Sequence, residues 1–403
     1  MNILHIVGSL NNGGAALGAA ALHKQLRKLG VNSKILYLKS TTLCSSQGCI
    51  NSGSIFENVS AFFWQRVENT ILSLIFKNKT ASIFTSGLLS WSFKKYISYH
   101  NIDIVNIHWP GYGGFSFSLF SKLNVVFTMR DMWIATAGCH LPMECTNYMN
   151  KCSNCPALSN NNSGIKNLIT KFLFERKKKW IKEKKKLEIV AISKYVKSFQ
   201  NSPILESKKI HIIENFVDLE KIKDADPLVE STNSEALEKP RLLIPRKTKE
   251  PWKGYEDIEL CLSELTEKYE IWQFGRGKAK PFIKDFGFIN SPFKLYGLFK
   301  STTVFICPSK YESFGKVIIE SGAAGTPVII QSNSQIGIDK SLPFIFQADF
   351  SSIIDLVSNI ELATLAKLEN ERAGNPWFDL CQKRYSPTIQ AKKYISLYKS
   401  LIK

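Results

Sequence analysis

At 403 residues the chain has room for two or three domains, and two of ~200 residues is the natural division. A hydrophobic fraction of 44% with 22% charged residues excludes a disordered chain, a collagen-like chain and a small disulfide scaffold. Lys and Arg number 53 against 34 Asp and Glu, a formal charge of +19, which points to an anionic partner: nucleic acid, an acidic membrane leaflet or a phosphorylated substrate.

The chain opens Met1-Asn2-Ile3-Leu4-His5-Ile6-Val7-Gly8 with no basic stretch ahead of the apolar run, which predicts a strand and not a signal peptide. A loop ending in Gly13-Gly14, an Ala-rich helix over 15–29 closed by Gly30, and a strand over 34–38 complete a parallel βαβ unit. The stretch 59–76 is apolar but carries Gln65, Arg66, Glu68 and Asn69, short of the ~18 unbroken apolar residues of a spanning helix. A cytosolic chain with mostly reduced cysteines is expected, and Cys44, Cys49, Cys261, Cys307 and Cys381 read as buried or idle thiols.

Further strands are expected at 104–107, 125–128 and 187–192, and residues 1–214 form the first domain, with a cysteine-rich loop over 138–156. From 215 to 240 the apolar period lapses among Asp, Glu, Ser and Asn, the signature of a linker. A second βα series fills 241–385, with strands at 241–245, 270–275, 304–307 and 327–330. A final amphipathic helix over 386–403 spaces Ile389, Tyr394, Leu397, Tyr398 and Leu401 at helical intervals. The expectation is α/β, two doubly wound Rossmann-like domains facing a cleft, with ligands at the carboxyl ends of the strands.

The most informative segment runs from Pro308 to Pro327: a strand end, a turn holding Glu312, then a helix beginning near Phe314 that carries Glu320 about two turns in. Backbone N–H groups at Phe314 and Gly315 offer an anion site, and the two carboxylates can grip hydroxyls on either side of a diphosphate. Taken singly, Glu312 reads as a cap and Glu320 as a solvated helix face. Together, Pro-Ser-x-x-Glu-x-Phe-Gly, Glu320 and the Gly-Thr-Pro-Val turn at 325–328 resemble the Glu-x7-Glu signature of retaining glycosyltransferases of family four, which adopt the GT-B fold. The resemblance extends to Gly13 and Gly14, to Ser193 after its strand, to Asn215-Phe216-Val217-Asp218, to Trp252-Lys253-Gly254 and to Phe274-Gly275-Arg276-Gly277.

That resemblance implies a nucleotide-diphosphate sugar as donor. Glu320 would bind the ribose, Glu312 the donor sugar, and Lys253 with Arg246 (or Lys249 in its place) the diphosphate. Phe314, Gly315, Gly275, Gly13 and Gly14 would line the donor. The leaving group would be stabilised electrostatically, with no enzymic nucleophile and no divalent metal or other cofactor required for catalysis.

The segment Thr128-Met129-Arg130-Asp131-Met132-Trp133 and the following Thr136-Ala137-Gly138-Cys139-His140 resemble a colanic-acid and O-antigen subgroup, which reads His-Asp-x-Trp, then Gly-Gly-Cys-His. Arg130 occupies the histidine's place, leaving Asp131, His108 and His140 as acceptor-side candidates; core or surface histidines are the bland alternative. Cys139, Cys145, Cys152 and Cys155 form a C-x5-C-x6-C-x2-C array that suits a structural Zn²⁺, with His140 able to replace one thiolate, or else reduced or disulfide-linked cysteines. Residues 171–186 carry Lys171, Arg176, Lys177, Lys178, Lys179, Lys182, Lys184, Lys185 and Lys186 among Phe172, Phe174 and Trp180. With Phe62, Phe63, Trp64 and the apolar run 71–76, this favours peripheral contact with the inner face of an anionic membrane over a merely solvated face.

The sequence thus implies a retaining sugar transferase acting on a lipid-linked or saccharide acceptor in cell-envelope polysaccharide assembly. The rivals are a sucrose- or glycogen-type transferase of the same fold, and a zinc-containing nucleic-acid-binding protein. The second leaves residues 312–327 unexplained, so no nucleic-acid partner is expected.

Overall fold

Strands that are apolar at every position must be covered on both faces, and parallel sheets flanked by helices supply that cover. The computed structural model describes residues 1–8, 13–37, 48–51, 67, 70, 84–87, 101–109, 120, 122–156, 164–228 and 239–402. Residues 9–12 of the glycine loop, the aromatic residues Phe62, Phe63 and Trp64, the apolar run 71–76 and residues 229–238 lie outside the described residues. The chain divides into two compact units, Met1–Asn215 with Gln390–Lys403, and Phe216–Ile389.

In the first unit β1 (Asn2–Val7), β2 (Asn32–Tyr37), β3 (Cys49–Asn51), β4 (Ile104–Trp109), β5 (Asn124–Met129), β6 (Leu187–Ala191) and β7 (Ile210–Ile212) make one sheet. Its order is β3-β2-β1-β4-β5-β6-β7 with every pair parallel. Helix α1 (Gly13–Lys28) crosses between β1 and β2, and its small residues Ala16 and Ala19 let it lie against Val7, Ile35 and Tyr37. Helix α2 (Gly164–Glu183) carries most of the basic run, but it is not a uniformly solvated face. Lys177 and Lys184 are buried with Leu173, Phe174 and Ile181, while Lys171, Phe172, Lys179 and Lys182 face solvent.

In the second unit β8 (Arg241–Pro245), β9 (Glu270–Phe274), β10 (Lys284–Asp285), β11 (Val304–Cys307), β13 (Val328–Gln331) and β15 (Ile345–Ala348) form a parallel sheet, ordered β10-β9-β8-β11-β13-β15. Leu242, Ile244, Ile306, Ile329, Leu356 and Ile360 belong to its core. The two-residue strands β12 (Tyr311–Glu312) and β14 (Gln335–Ile336) pair with each other outside it. Helices α3 (Pro292–Lys300) and α4 (Lys316–Ala323) follow β10 and β12 in the chain. The protein therefore holds two parallel-sheet, Rossmann-like α/β domains.

Several local expectations change. The compositional linker contains a short helix, Leu219–Asp224, that buries Leu219 and Ile222. Cys49 is disulfide-bonded and not an idle thiol; it sits on a three-residue edge strand paired with β2 and packs against the core formed with α1. The last helix, α5 (Pro387–Ile402), buries Tyr394, Leu397 and Tyr398, and from Gln390 onward it belongs to the first unit. The reason is polar as well as apolar. Asn106 Nδ2 donates to the Tyr398 hydroxyl at 2.6 Å, Thr128 Oγ1 donates to Asn106 Oδ1 at 2.9 Å, and Tyr394 Oη lies 3.3 Å from Thr128.

Candidate active site

The Pro-Ser-x-x-Glu segment leaves the core at the carboxyl end of β11. Pairing of β12 with β14 fixes the backbone of Glu312, whose carbonyl accepts from Gly337 N at 3.0 Å. Its side chain is then met by two donors: Lys253 Nζ at 2.6 Å and Ser309 Oγ at 3.1 Å, both on Oε1. Lys253 ends the turn Pro251–Lys253, and Gly254 follows in the left-handed region at φ 62°. A Cβ on Gly254 would lie 2.1 Å from the Pro308 carbonyl oxygen, so only glycine lets this turn abut the end of β11. The contact is tied further by Lys310 N donating to Trp252 O at 2.9 Å. The Glu312 carboxylate holds the Lys253 ammonium above its ordinary pKa against the opposing effect of burial, so it stays charged.

The helix after Glu312 starts later than the sequence suggests. Gly315, at φ 90°, is the residue before α4, so the helix opens at Lys316 and Glu320 lies one turn in, not two. Glu320 is buried and not a solvated helix face. Tyr296 Oη, from α3, donates to its Oε1 at 3.0 Å, and Lys316 Nζ sits 2.8 Å from the same oxygen. Burial, reinforced by the Glu320 carboxylate, pushes the Tyr296 hydroxyl's pKa far up and keeps it a donor. Phe314 is buried edge-on against Tyr385, with ring centroids 5.8 Å apart. Ser309, Tyr296 and Lys316 were not singled out by sequence reasoning. The spacing of Lys316 four residues before Glu320 was a usable signal, whereas nothing local marks Tyr296.

Arg246 goes elsewhere. It forms a two-pronged pair with Asp285, Nε donating to Oδ1 at 2.9 Å and Nη2 to Oδ2. Its amide donates to Phe274 O at 2.8 Å, and the adjoining Gly275 N donates to Gly287 O at 2.8 Å. Arg246, Gly275 and Asp285 thus share the carboxyl ends of β8, β9 and β10, while Lys253 and Ser309 meet Glu312 beyond the end of the neighbouring β11. The hydrogen bonds of the pair raise the Arg246 pKa and lower that of Asp285.

In the first unit Gly13 and Gly14 open α1, both exposed. His108 does not join Asp131. It is buried on β4, with Nε2 2.8 Å from His5 Nδ1 and Nδ1 accepting from Arg130 Nε at 3.3 Å. Arg130 Nη1 donates to Asn215 Oδ1 at 3.0 Å, and its guanidinium occupies the space a Cβ on Gly18 of α1 would need. Burial, with the Arg130 charge adding to it, pushes both histidines well below their ordinary pKa, so they are neutral. Asp131 instead pairs with His140. Its Oδ2 is 2.6 Å from His140 Nδ1, its Oδ1 accepts from Trp133 N at 2.9 Å, and Thr85 Oγ1 lies 2.9 Å from His140 Nε2. These contacts tie Asp131 to the loop that leads into the cysteine array. In that array none of Cys139, Cys145, Cys152 and Cys155 is disulfide-bonded, and all four line one pocket.

Two Rossmann-like domains with an acid-base cluster at strand ends define the GT-B fold, and the comparisons with known proteins agree. Residues 279–337 match the model of the family described as glycosyl transferases group 1. A stretch of 110 residues is 32% identical to an uncharacterized glycosyltransferase of Methanocaldococcus jannaschii, covering 24% of this chain and 27% of that relative. Among solved structures, sucrose-phosphate synthase from Thermosynechococcus elongatus superposes with a TM-score of 0.65 at 12% identity, covering 100% of this chain and 99% of that one. HepE of Anabaena in complex with UDP gives 0.58 at 13% identity over 99% and 100% of the two chains. WaaG, a glycosyltransferase involved in lipopolysaccharide biosynthesis, gives 0.57 at 13% identity over 96% and 98%. At such identities the structural likeness speaks for the fold.

Proposed function

We propose that the protein is a retaining glycosyltransferase that moves a sugar from a nucleotide-diphosphate donor to a lipid-linked or saccharide acceptor in cell-envelope polysaccharide assembly. The observation that carries this reading is the Lys253–Glu312 contact of 2.6 Å, in which Glu312, like Glu320 on the helix that follows, lies within the segment 279–337 matched by the glycosyl transferase family. Lys253 and the opening turn of α4 would stabilise the charge that develops on the leaving diphosphate, in the place a metal takes in other transferases. Glu312, gripped by Lys253 and Ser309, would orient the donor sugar. Glu320 would accept a ribose hydroxyl, held ready by Tyr296 and Lys316. Arg246 would reach the diphosphate only by releasing Asp285.

A panel of nucleotide sugars, screened for thermal stabilisation, tests the donor site, since a ligand at ~100 times its Kd stabilises by about 2.7 kcal/mol. The stabilising donor is then turned over and the anomeric configuration of the product read by NMR. Inversion would overturn the retaining mechanism, and the absence of any stabilising nucleotide sugar would overturn the donor class.

The acceptor reading includes a membrane surface. Among the described residues no helix is long and apolar enough to cross a membrane. On α2, however, Leu168 and Phe172 are 65% and 58% exposed, beside the exposed Lys171. Apolar side chains among lysines suit the interface of an anionic leaflet. Co-sedimentation with anionic vesicles and none with neutral ones is the expected result; equal behaviour with both would remove the membrane from the proposal.

A further inference from the structure

The loop from Gly138 to Pro156 has little regular structure: its helical content is the short turn Asn147–Asn150, and Gly138, His140, Pro142, Tyr148, Cys152 and Cys155 are its buried residues. Even so, its conformation is costly. Met143, Lys151, Cys152 and Asn154 all lie in the left-handed region, at φ between 52° and 55°. Non-glycine residues keep such angles only where surrounding interactions over-determine them.

The sulfurs are what these turns bring together. Cys139, Cys145, Cys152 and Cys155 are unbridged and face one pocket, alongside Tyr148 and Pro142. Main-chain amides point at two of them, Ala137 N donating to Cys152 Sγ at 3.2 Å and Asn147 N to Cys145. A neutral thiol is a weak acceptor, whereas a thiolate rewards an aimed N–H strongly. Lys177 Nζ is anchored at 2.6 Å and 2.7 Å to the carbonyls of Trp133 and Thr136, which places a buried amino group near Cys152.

We propose that Cys139, Cys145, Cys152 and Cys155 together bind one Zn²⁺ ion, which pins this loop. Four sulfur donors with no open position make a closed, structural site. Binding converts four thiols and Zn²⁺ into a zinc tetrathiolate of charge −2 with release of four protons. The ligand shell is not closed in this structure. Among the described residues no three His, Cys, Asp or Glu groups stand in a metal-holding arrangement, and the Cys139 thiol hydrogen-bonds with Cys155 instead. Ion entry therefore requires the side chains to turn onto one point at ~2.3 Å, on a backbone that already brings them to the same pocket. The four cysteines belong to the first compact unit, whereas Lys253, Glu312 and Glu320 belong to the second.

The test is elemental analysis of the full chain purified without chelator. About one zinc per chain is expected, released when the thiols are titrated with a mercurial. Protein stripped of metal and given Co²⁺ should develop the sulfur-to-cobalt charge-transfer absorption of a tetrahedral thiolate site. The paired Cys152→Ser and Cys155→Ser substitutions should abolish both signals. If that variant does not fold, the cobalt spectrum of the unaltered chain decides. Zinc-free protein whose four thiols are all alkylated in the native state and gain no cobalt band would overturn the proposal. Iron with inorganic sulfide in the purified protein, or zinc retained by the double variant, would overturn it as well.

Discussion

Lys253 and Glu312 are 59 residues apart in the chain and 2.6 Å apart in the fold. What joins them is a close backbone approach, since the turn holding Lys253 rests on the carbonyl of Pro308 through Gly254. The cation is thereby fixed at a strand end next to the carboxylate that would hold the donor sugar, before any donor arrives. This is the preorganisation that electrostatic catalysis requires.

Lys253→Ala should lower kcat/KM by at least ~10- to 100-fold, the equivalent of one charge-assisted contact of roughly 1.5–3 kcal/mol. Glu320→Ala should act on a similar scale and chiefly through the donor KM. Lys253 is part-exposed, so its removal should leave the melting temperature nearly unchanged. Steady-state kinetics beside a thermal melt check both, and a well-folded Glu320→Ala protein with full activity would falsify the assignment.

Gly254→Ala should destabilise the second unit by roughly 1–3 kcal/mol or more, because a left-handed angle and a 2.1 Å approach to Pro308 O are both violated. Activity should fall with it, since Lys253 loses its seat. Urea unfolding followed by tryptophan fluorescence reads the first effect; a midpoint equal to that of the unaltered protein would show that the approach is not needed.

Acid should weaken the first unit through His5 and His108. Their folded pKa values lie well below the ordinary 6.5, so between those limits the unfolded chain binds protons that the folded chain refuses. Their contribution is complete above pH ~6.5 and is lost as pH falls below it, at up to about 1.4 kcal/mol per pH unit for each histidine. Unfolding free energies measured from pH 7.5 down to 5 should show this slope, and His108→Gln should make it shallower by about one proton. An identical slope in that variant would exclude His108 as a source.

Lys177→Met should destabilise the segment from Trp133 to Thr136 by ~2–4 kcal/mol, because two buried carbonyls lose their donor. Hydrogen exchange of amides 133–140 is the local readout, and it should rise far more than exchange in β8 or β11.

The sequence by itself determined the strands and the class of fold. Residues 3–7, 304–307 and 328–330 are apolar at nearly every position, and only a doubly covered parallel sheet buries such runs. It also singled out Glu312, Glu320 and Lys253 as candidates, because their neighbours (the strand-end Pro-Ser, the Phe-Gly turn, the Lys-Gly turn) are local signals read within a few residues. Side-chain partnership was beyond it. That Arg246 meets Asp285 and that His108 meets His5 and Arg130 depends on β9 lying between β8 and β10 and on β4 lying between β1 and β5, adjacencies created by crossovers between distant segments. The same cause buried Lys177 within the basic run read as a membrane-contact surface, and carried Tyr394 and Tyr398 of the last helix back to Asn106 and Thr128. Periodicity reports which face of an element is apolar. Which element covers that face, and which polar atoms must then find each other in the dark of the core, is decided only when the sheet is assembled.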